Sequence, residues 1–392
     1  MITADEALSL IAAKVGPLGS ETIELADAAG RTLAEPLIAR CDAPRQPLSA
    51  MDGYAVVERT TAPGKRLELI GESRAGRGFA GIVGPGQAVR IFTGAPLPDG
   101  ADYVVMQEYA SRDGDHVTFT EGYGPAPHVR AVASDFSKGA ELVPAGTRLG
   151  ARAMVAAAAA DVSEVCVARR PRVATFATGD ELALPGFAYL RPDAIPESVS
   201  FGVSAMVAQE GGTVVSRRTG ADELDALIAA ADAALNEADL VIVTGGASVG
   251  DRDFAKPMFA PHGLDLWFDK VAMKPGKPVW LGQARGTVVL GLPGNPTSAM
   301  VTGALFLRPI LARLLGEAKA HPWHCLPLAA GLKATGTRET FTRARWDEDG
   351  LIPLDNQDSG AQAALLQADW LIRCLPDQAA LAPGAMVTAL RF

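Results

Sequence analysis

Lys270, Lys274 and Lys277 form a dense cluster of cations around the turn Lys274-Pro275-Gly276-Lys277-Pro278, in a chain of 392 residues whose net charge is −9. Lysine is a compact point charge suited to a small tetrahedral anion. Rigid Pro/Gly backbone leaves such a site little entropy to lose. The flanking Val271, Met273, Val279 and Trp280 set the turn in a partly buried context. A second turn, Leu292-Pro293-Gly294-Asn295-Pro296-Thr297-Ser298, leads into a helical stretch. Asn295 suits its cap and Pro296 its first position. The unpaired N–H groups at such a start attract an oxyanion.

Two further loops follow apolar strand-like runs: Thr178-Gly179-Asp180-Glu181-Leu182, and Thr244 to Asp253 with Gly245, Gly246, Ser248 and Gly250. Glycine permits close backbone approach to a ligand, and successive N–H groups can line a phosphate nest. Any one such loop is as consistent with a tight connection as with a site; three at adjacent strand ends favour a site. Asp180, Glu181, Asp251 and Asp253 share these loops. Carboxylates beside phosphates call for a cation between them, which implies Mg²⁺. Glu181 and Asp253 read as functional and as the Mg²⁺ ligands, Asp251 as a cap or solvated charge, and Asp222 as the cap of the following helix. Asp52 and Thr93 lie in what local reading makes ordinary turns.

The elements that must position these groups come in contrasting textures. Thr3 to Val15 has helical periodicity, with Ala7, Leu8, Leu10 and Ile11 on one face. Leu25 to Ala34 reads as a second short helix, and Arg152 to Ala160 as another. Residues 45–144 are rich in Gly and Pro with short β-branched runs, which predicts an inserted β domain inside an extended helical domain of residues 1–44 and 145–170. Residues 171–318 alternate strand and helix, the signature of a doubly wound α/β domain. Residues 325–392 return to short strands and turns, and read as a small C-terminal β-barrel. The acidic balance argues against nucleic-acid or membrane-surface partners. The four cysteines are scattered and the histidines isolated, so no zinc site or disulfide framework is indicated. No signal peptide or membrane-length apolar run is evident, so a cytoplasmic protein is expected.

In this order, Ser49-Ala-Met-Asp-Gly-Tyr-Ala-Val56, Phe92-Thr-Gly-Ala-Pro-Leu-Pro98, Thr178-Gly-Asp-Glu-Leu182, Thr244-Gly-Gly-Ala-Ser-Val-Gly250, Lys274-Pro-Gly-Lys-Pro278 and Leu292-Pro-Gly-Asn-Pro-Thr-Ser298 resemble the molybdopterin molybdenumtransferases, relatives of the gephyrin E domain. The likeness extends to Phe341-Thr-Arg-Ala344 and Gln357-Asp-Ser-Gly360. It implies a molybdopterin-binding α/β domain and an elongated homodimer in which the β domain of one subunit faces the α/β domain of the other. The implied reaction inserts molybdate into adenylylated molybdopterin, with Mg²⁺ assisting and AMP leaving. Molybdoenzymes or the adenylyltransferase are implied partners. Carried over by position, the functional acids fall on Asp52, Asp135, Glu181, Asp222 and Asp253, with Thr93 beside them. The substrate site falls on Thr178, Gly179, Asp180, Gly245, Gly246, Ser248, Gly250, Pro293, Asn295 and Pro296. The molybdate pocket falls on Lys270, Lys274, Lys277, Ser298, Arg343 and Ser359. Glu197-Ser198-Val199 departs from the Asp-Ser-Asn that the family often carries, and Val199 offers no amide hydrogen bonds. A gephyrin-like scaffold with little turnover is the alternative, and a simple adenylyltransferase would not need the additional domains.

Overall fold

The computed structural model describes residues 1–220, 223–245, 254–317 and 322–392. Its central sheet has the strand order Thr213–Gly220, Arg172–Thr178, Leu240–Thr244, Thr287–Leu292, Trp280–Ala284 and Asp265–Phe268. The first four strands are parallel, and the last two run antiparallel to their neighbours. Leu240–Thr244 is buried along its length, which explains why it is an unbroken apolar run. The period of two sorts its side chains between two cores. Leu240 and Ile242 join Val203, Val207 and Leu305 on one face, while Val241 and Val243 join Leu227, Ala231 and Leu235 on the other. Helices Val199–Gln209 and Leu224–Glu237 therefore cover opposite faces, giving the doubly wound arrangement.

Asp239 stands where this sheet begins. It accepts from Arg169 Nη1 and Nη2 at 3.0 and 2.8 Å and from the Arg172 N–H at 2.8 Å. Burial pushes its pKa up, but the Arg169 guanidinium and the Arg172 N–H outweigh burial and hold it below the ordinary value. A carboxylate with a depressed pKa stabilises the fold above its unfolded value near about 4, and that stability is lost as pH falls through the folded one. Thermal melts between neutral and acid pH should show a smaller acid-induced loss in Asp239→Asn than in the parent, from a lower starting stability.

The opening helix, Ala4–Lys14, carries a capping box between Thr3 and Glu6. It buries Ala4, Ala7 and Ile11, whereas Leu8 and Leu10 are only half-buried. It lies in the same core as Val203, Val271 and Leu311, not against helix Ala151–Ala159, which packs with Ala28, Leu33 and Val165. The helix expected over Leu25 to Ala34 is only the turn Leu25–Asp27. Beyond it, Thr32 and Leu33 are drawn into bridges with Arg148 and Val167.

Strand Ser20–Glu24 pairs antiparallel with Glu164–Ala168, and Leu37–Ile38 with Glu141–Val143. The chain thus leaves and re-enters this region side by side. Between lies a six-stranded sheet in the order Tyr103–Met106, Gly53–Val56, Gln87–Ile91, Arg66–Ser73, His116–Phe119 and Ala110–Asp113. The C-terminal sheet is built on Glu339–Asp347, Trp370–Cys374, Met386–Arg391 and His324–Pro327, with Gly350–Pro353 pairing to the first. Met273–Lys274 adds to its edge, parallel to Glu339–Thr340. Among the described residues no helix is long and apolar enough to cross a membrane.

Candidate active site

Three neighbouring parallel strands end at Thr178, Thr244 and Leu292, so their loops leave the same edge of the sheet. The loops touch. A Cβ on Gly245 would lie 2.5 Å from the Thr178 carbonyl oxygen, and one on Gly294 would lie 3.3 Å from the Gly245 Cα. Gly245 has φ +92°, a conformation open mainly to glycine. Together the loops border a cavity of about 480 Å³, within the usual range for a small-molecule site. Its walls include Thr178, Gly179 and Glu181 from the first loop, Thr244 and Gly245 from the second, and Pro293 to Pro296 from the third. Pro278, from the lysine turn, completes one side. Asp180 is exposed and does not line the cavity.

Glu197, Val199, Ile195 and Gln362 line the same cavity; no positional argument from sequence had singled out Ile195 or Gln362, and Glu197 stood only as a departure. Glu197 is 3% exposed. Its Oε1 accepts from the Ser200 N–H at 2.8 Å and its Oε2 from Ser200 Oγ at 2.5 Å, which ties it to the start of helix Val199–Gln209. An acidic residue ahead of an apolar helical run was the one available signal, and it reads only as a cap. The cavity therefore holds two carboxylates, Glu181 and Glu197, beside the hydroxyl groups of Thr178 and Thr244. These are hard oxygen donors of the kind that suit Mg²⁺, which binds one or two carboxylates along with substrate phosphates. No group of three or more His, Cys, Asp or Glu side chains placed to hold a metal occurs among the described residues.

The molybdate candidates divide. The helix Pro296–Thr302 begins after Asn295. The Asn295 side chain does not cap it, and instead Nδ2 donates to Ser359 Oγ at 3.3 Å. The Thr297 N–H donates to the Ser359 carbonyl oxygen at 3.3 Å, so the C-terminal loop is seated on the helix start. Ser298 is 5% exposed and Arg343 1%. Arg343 Nη2 donates to the carbonyl oxygens of Asn356 and Asp358 at 3.1 and 3.0 Å, and Nη1 to Thr297 Oγ1 at 3.4 Å. Its Nε is buried without a hydrogen bond. Burial pushes the guanidinium pKa down, against the charge of Asp358.

Gly276 brings the lysine turn against the same helix: with φ +102°, a Cβ there would lie 2.2 Å from Thr302 Cγ2. Lys277 is exposed and Lys270 half-exposed. Lys274 borders a separate cleft of about 400 Å³, with Lys333, Arg338 and Thr342 among its walls. The lysine turn thus reaches the main cavity through Pro278, while the Lys274 side chain belongs to the cleft beside it.

Asp52, Thr93 and Asp135 lie in the β region and do not line the cavity. Asp52 Oδ1 accepts from the Thr93 N–H at 2.7 Å and from Thr93 Oγ1 at 2.8 Å. The Thr93 N–H and hydroxyl, with Arg90 nearby, hold the Asp52 carboxyl below its ordinary pKa. Asp135 is exposed, and its N–H donates to the Ala43 carbonyl oxygen at 3.0 Å. Asp222, Gly246, Ser248, Gly250 and Asp253 lie outside the described residues.

Residues 2–160 match the family described as MoeA N-terminal region (domain I and II). Residues 174–313 match a probable molybdopterin binding domain, and residues 326–392 the MoeA C-terminal region (domain IV). The chain is 37% identical over 334 residues to the molybdopterin molybdenumtransferase of Nostoc sp., covering 82% of this chain and 76% of that protein. It is 32% identical over 402 residues to the protein of the same name from Haemophilus influenzae, covering 100% and 99% of the two chains. The crystal structure of a molybdopterin biosynthesis moeA protein from Pyrococcus horikoshii superposes with a TM-score of 0.83 at 29% identity, over 100% of this chain and 99% of that one. With its three matched regions in order and relatives alike over three quarters or more of their length, the chain belongs to the molybdopterin molybdenumtransferase family.

Proposed function

We propose that this chain, a transferase of molybdenum cofactor biosynthesis, inserts molybdate into adenylylated molybdopterin, and that water cleaves the pyrophosphate link so that AMP leaves and the pterin keeps the other phosphate. The observation that carries the reading is the closure of three strand-end loops on one cavity of about 480 Å³ that also holds Glu181 and Glu197. The N–H groups of the Gly179, Gly245 and Gly294 loops bind the pyrophosphate, and Ile195, Val199 and Pro196 offer an apolar wall to the pterin. Ser298 and Ser359 offer hydroxyls and Lys277 positive charge for molybdate beside that wall, and Arg343 holds the Ser359 loop in place. Capture of molybdate by the two dithiolene sulfurs then follows, one molybdate oxygen leaving as water with the two thiol protons. Glu181 and Asp253 are the residues that would hold Mg²⁺, which when bound neutralises charge developing on the pyrophosphate. Asp52, Thr93 and Asp135, which do not line the cavity of their own chain, act on that of a second copy.

The test is AMP release from adenylylated molybdopterin with molybdate and Mg²⁺. Glu181→Gln should lower the rate at least about 10²-fold with an unchanged melting temperature. Tight substrate binding without any AMP release by the parent protein would instead favour a scaffold, and a requirement for ATP would favour adenylyl transfer.

A further inference from the structure

The backbone around Asp52 is held by more than Thr93. The Gln107 N–H donates to the Asp52 carbonyl oxygen at 3.0 Å. Arg90 Nη1 donates to the carbonyl oxygen of the next residue, Gly53, at 2.7 Å. Arg90 Nη2 donates to Gln107 Oε1 at 2.6 Å. The guanidinium is also stacked, 4.6 Å from the Phe92 ring centre and 5.2 Å from that of Tyr54. One planar cation therefore ties together the Gly53 carbonyl group, the side chain of the residue that anchors the Asp52 carbonyl, and the ring preceding Thr93. Among the described residues Arg90 forms no ion pair, so its fork is given over to holding this turn. Glu72 is within electrostatic reach of Arg90, yet is paired with Arg74.

We propose that Arg90 is a positioning residue for the reaction: by holding the Gly53 carbonyl group and the Gln107 side chain it fixes the backbone that follows Asp52, so that the free Asp52 carboxylate oxygen is presented in one orientation to the substrate. The proposal rests on the reading of Asp52 as a group that works on substrate. Lysine cannot replace Arg90, because a point charge on a flexible stem cannot bridge Gly53 and Gln107 while stacked on Phe92. Orientation of this kind acts on the chemical step more than on binding.

The experiment measures AMP release by the full-length protein for Arg90→Met, Gln107→Ala, Asp52→Asn and the Arg90→Met/Asp52→Asn pair. Arg90→Met should lower kcat by about tenfold with KM within about twofold of the parent. Gln107→Ala, at an exposed side chain, should lower kcat by about threefold in the same pattern and carries the test should Arg90→Met fold poorly. In the Asp52→Asn background, Arg90→Met should change the residual rate by less than about twofold, because its route of action is already gone. A full rate in folded Arg90→Met or Gln107→Ala, with Asp52→Asn impaired, overturns the proposal and leaves the proposed function standing. A loss of equal size in both backgrounds also overturns it, since Arg90 would then act independently of Asp52. A full rate in Asp52→Asn removes Asp52 from the chemistry and the proposal with it.

Discussion

Gly245→Ala is expected to abolish most AMP release while leaving a folded protein. An L-residue at φ +92° costs about 1–3 kcal/mol. The added Cβ would also meet the Thr178 carbonyl oxygen at 2.5 Å, and that atom belongs to a strand residue paired with Gly220. The loop must yield instead. Because Gly294 lies against Gly245, the third loop moves with the second. A displacement of about 1 Å at a positioned site lowers a rate by about 10²-fold. AMP release should fall by at least that factor, with a melting temperature only modestly reduced. Parent-like turnover in Gly245→Ala would show that these loops do not define the reacting geometry.

Arg343→Ala should act on stability and on molybdate together. The guanidinium bonds the carbonyl oxygens of both Asn356 and Asp358, and it reaches across to Thr297 at the helix start. Truncation leaves these acceptors without their charged donor and opens a void where the buried guanidinium lay. Lost hydrogen bonds to a charged group cost about 1.5–3 kcal/mol, and the void adds to that, so a loss of roughly 3 kcal/mol or more is expected. The loop carrying Ser359 then loses its seat on Asn295, and the molybdate concentration needed for half-maximal rate should rise at least about tenfold. Arg343→Lys should recover little, because an ammonium cannot span the two carbonyl groups and the hydroxyl. Denaturant melts and molybdate titrations check both parts; an Arg343→Ala protein with parent stability and parent molybdate response would remove the clamp from the account.

The central sheet was legible because its strands obey simple burial rules. Leu240 to Val243 is apolar on both sides since both sides are covered, and Leu224 to Leu235 shows its buried stripe in the helical period. The strand runs at Leu67, Ala88 and Tyr103 likewise appear where their β-branched residues place them. The three loaded loops followed from those strand ends. Other features depend on contacts remote in sequence. Arg343 alternates with Phe341 and Glu339 along Glu339–Asp347, and all three face inward. A lone strand pattern would put an arginine toward water, and only the returning Asn356–Ser359 segment makes burial tolerable. Glu197 reaches the cavity because Leu182–Ala183 pairs with Ile195–Pro196 and folds that segment back over the first loop. Lys274 is drawn toward the C-terminal cleft by its pairing with Thr340.

That last pairing makes the lysine turn and the terminal sheet a single mechanical piece. The edge that receives Met273–Lys274 belongs to the same strand that carries Arg343, and Arg343 holds the segment from which Ser359 reaches Asn295. A tilt of the terminal sheet would thus tug on both flanks of the pocket mouth at once, one through the lysine turn and the other through the serine loop. The terminal sheet is therefore tied to the cavity rim at two points, the lysine turn and the loop of Ser359.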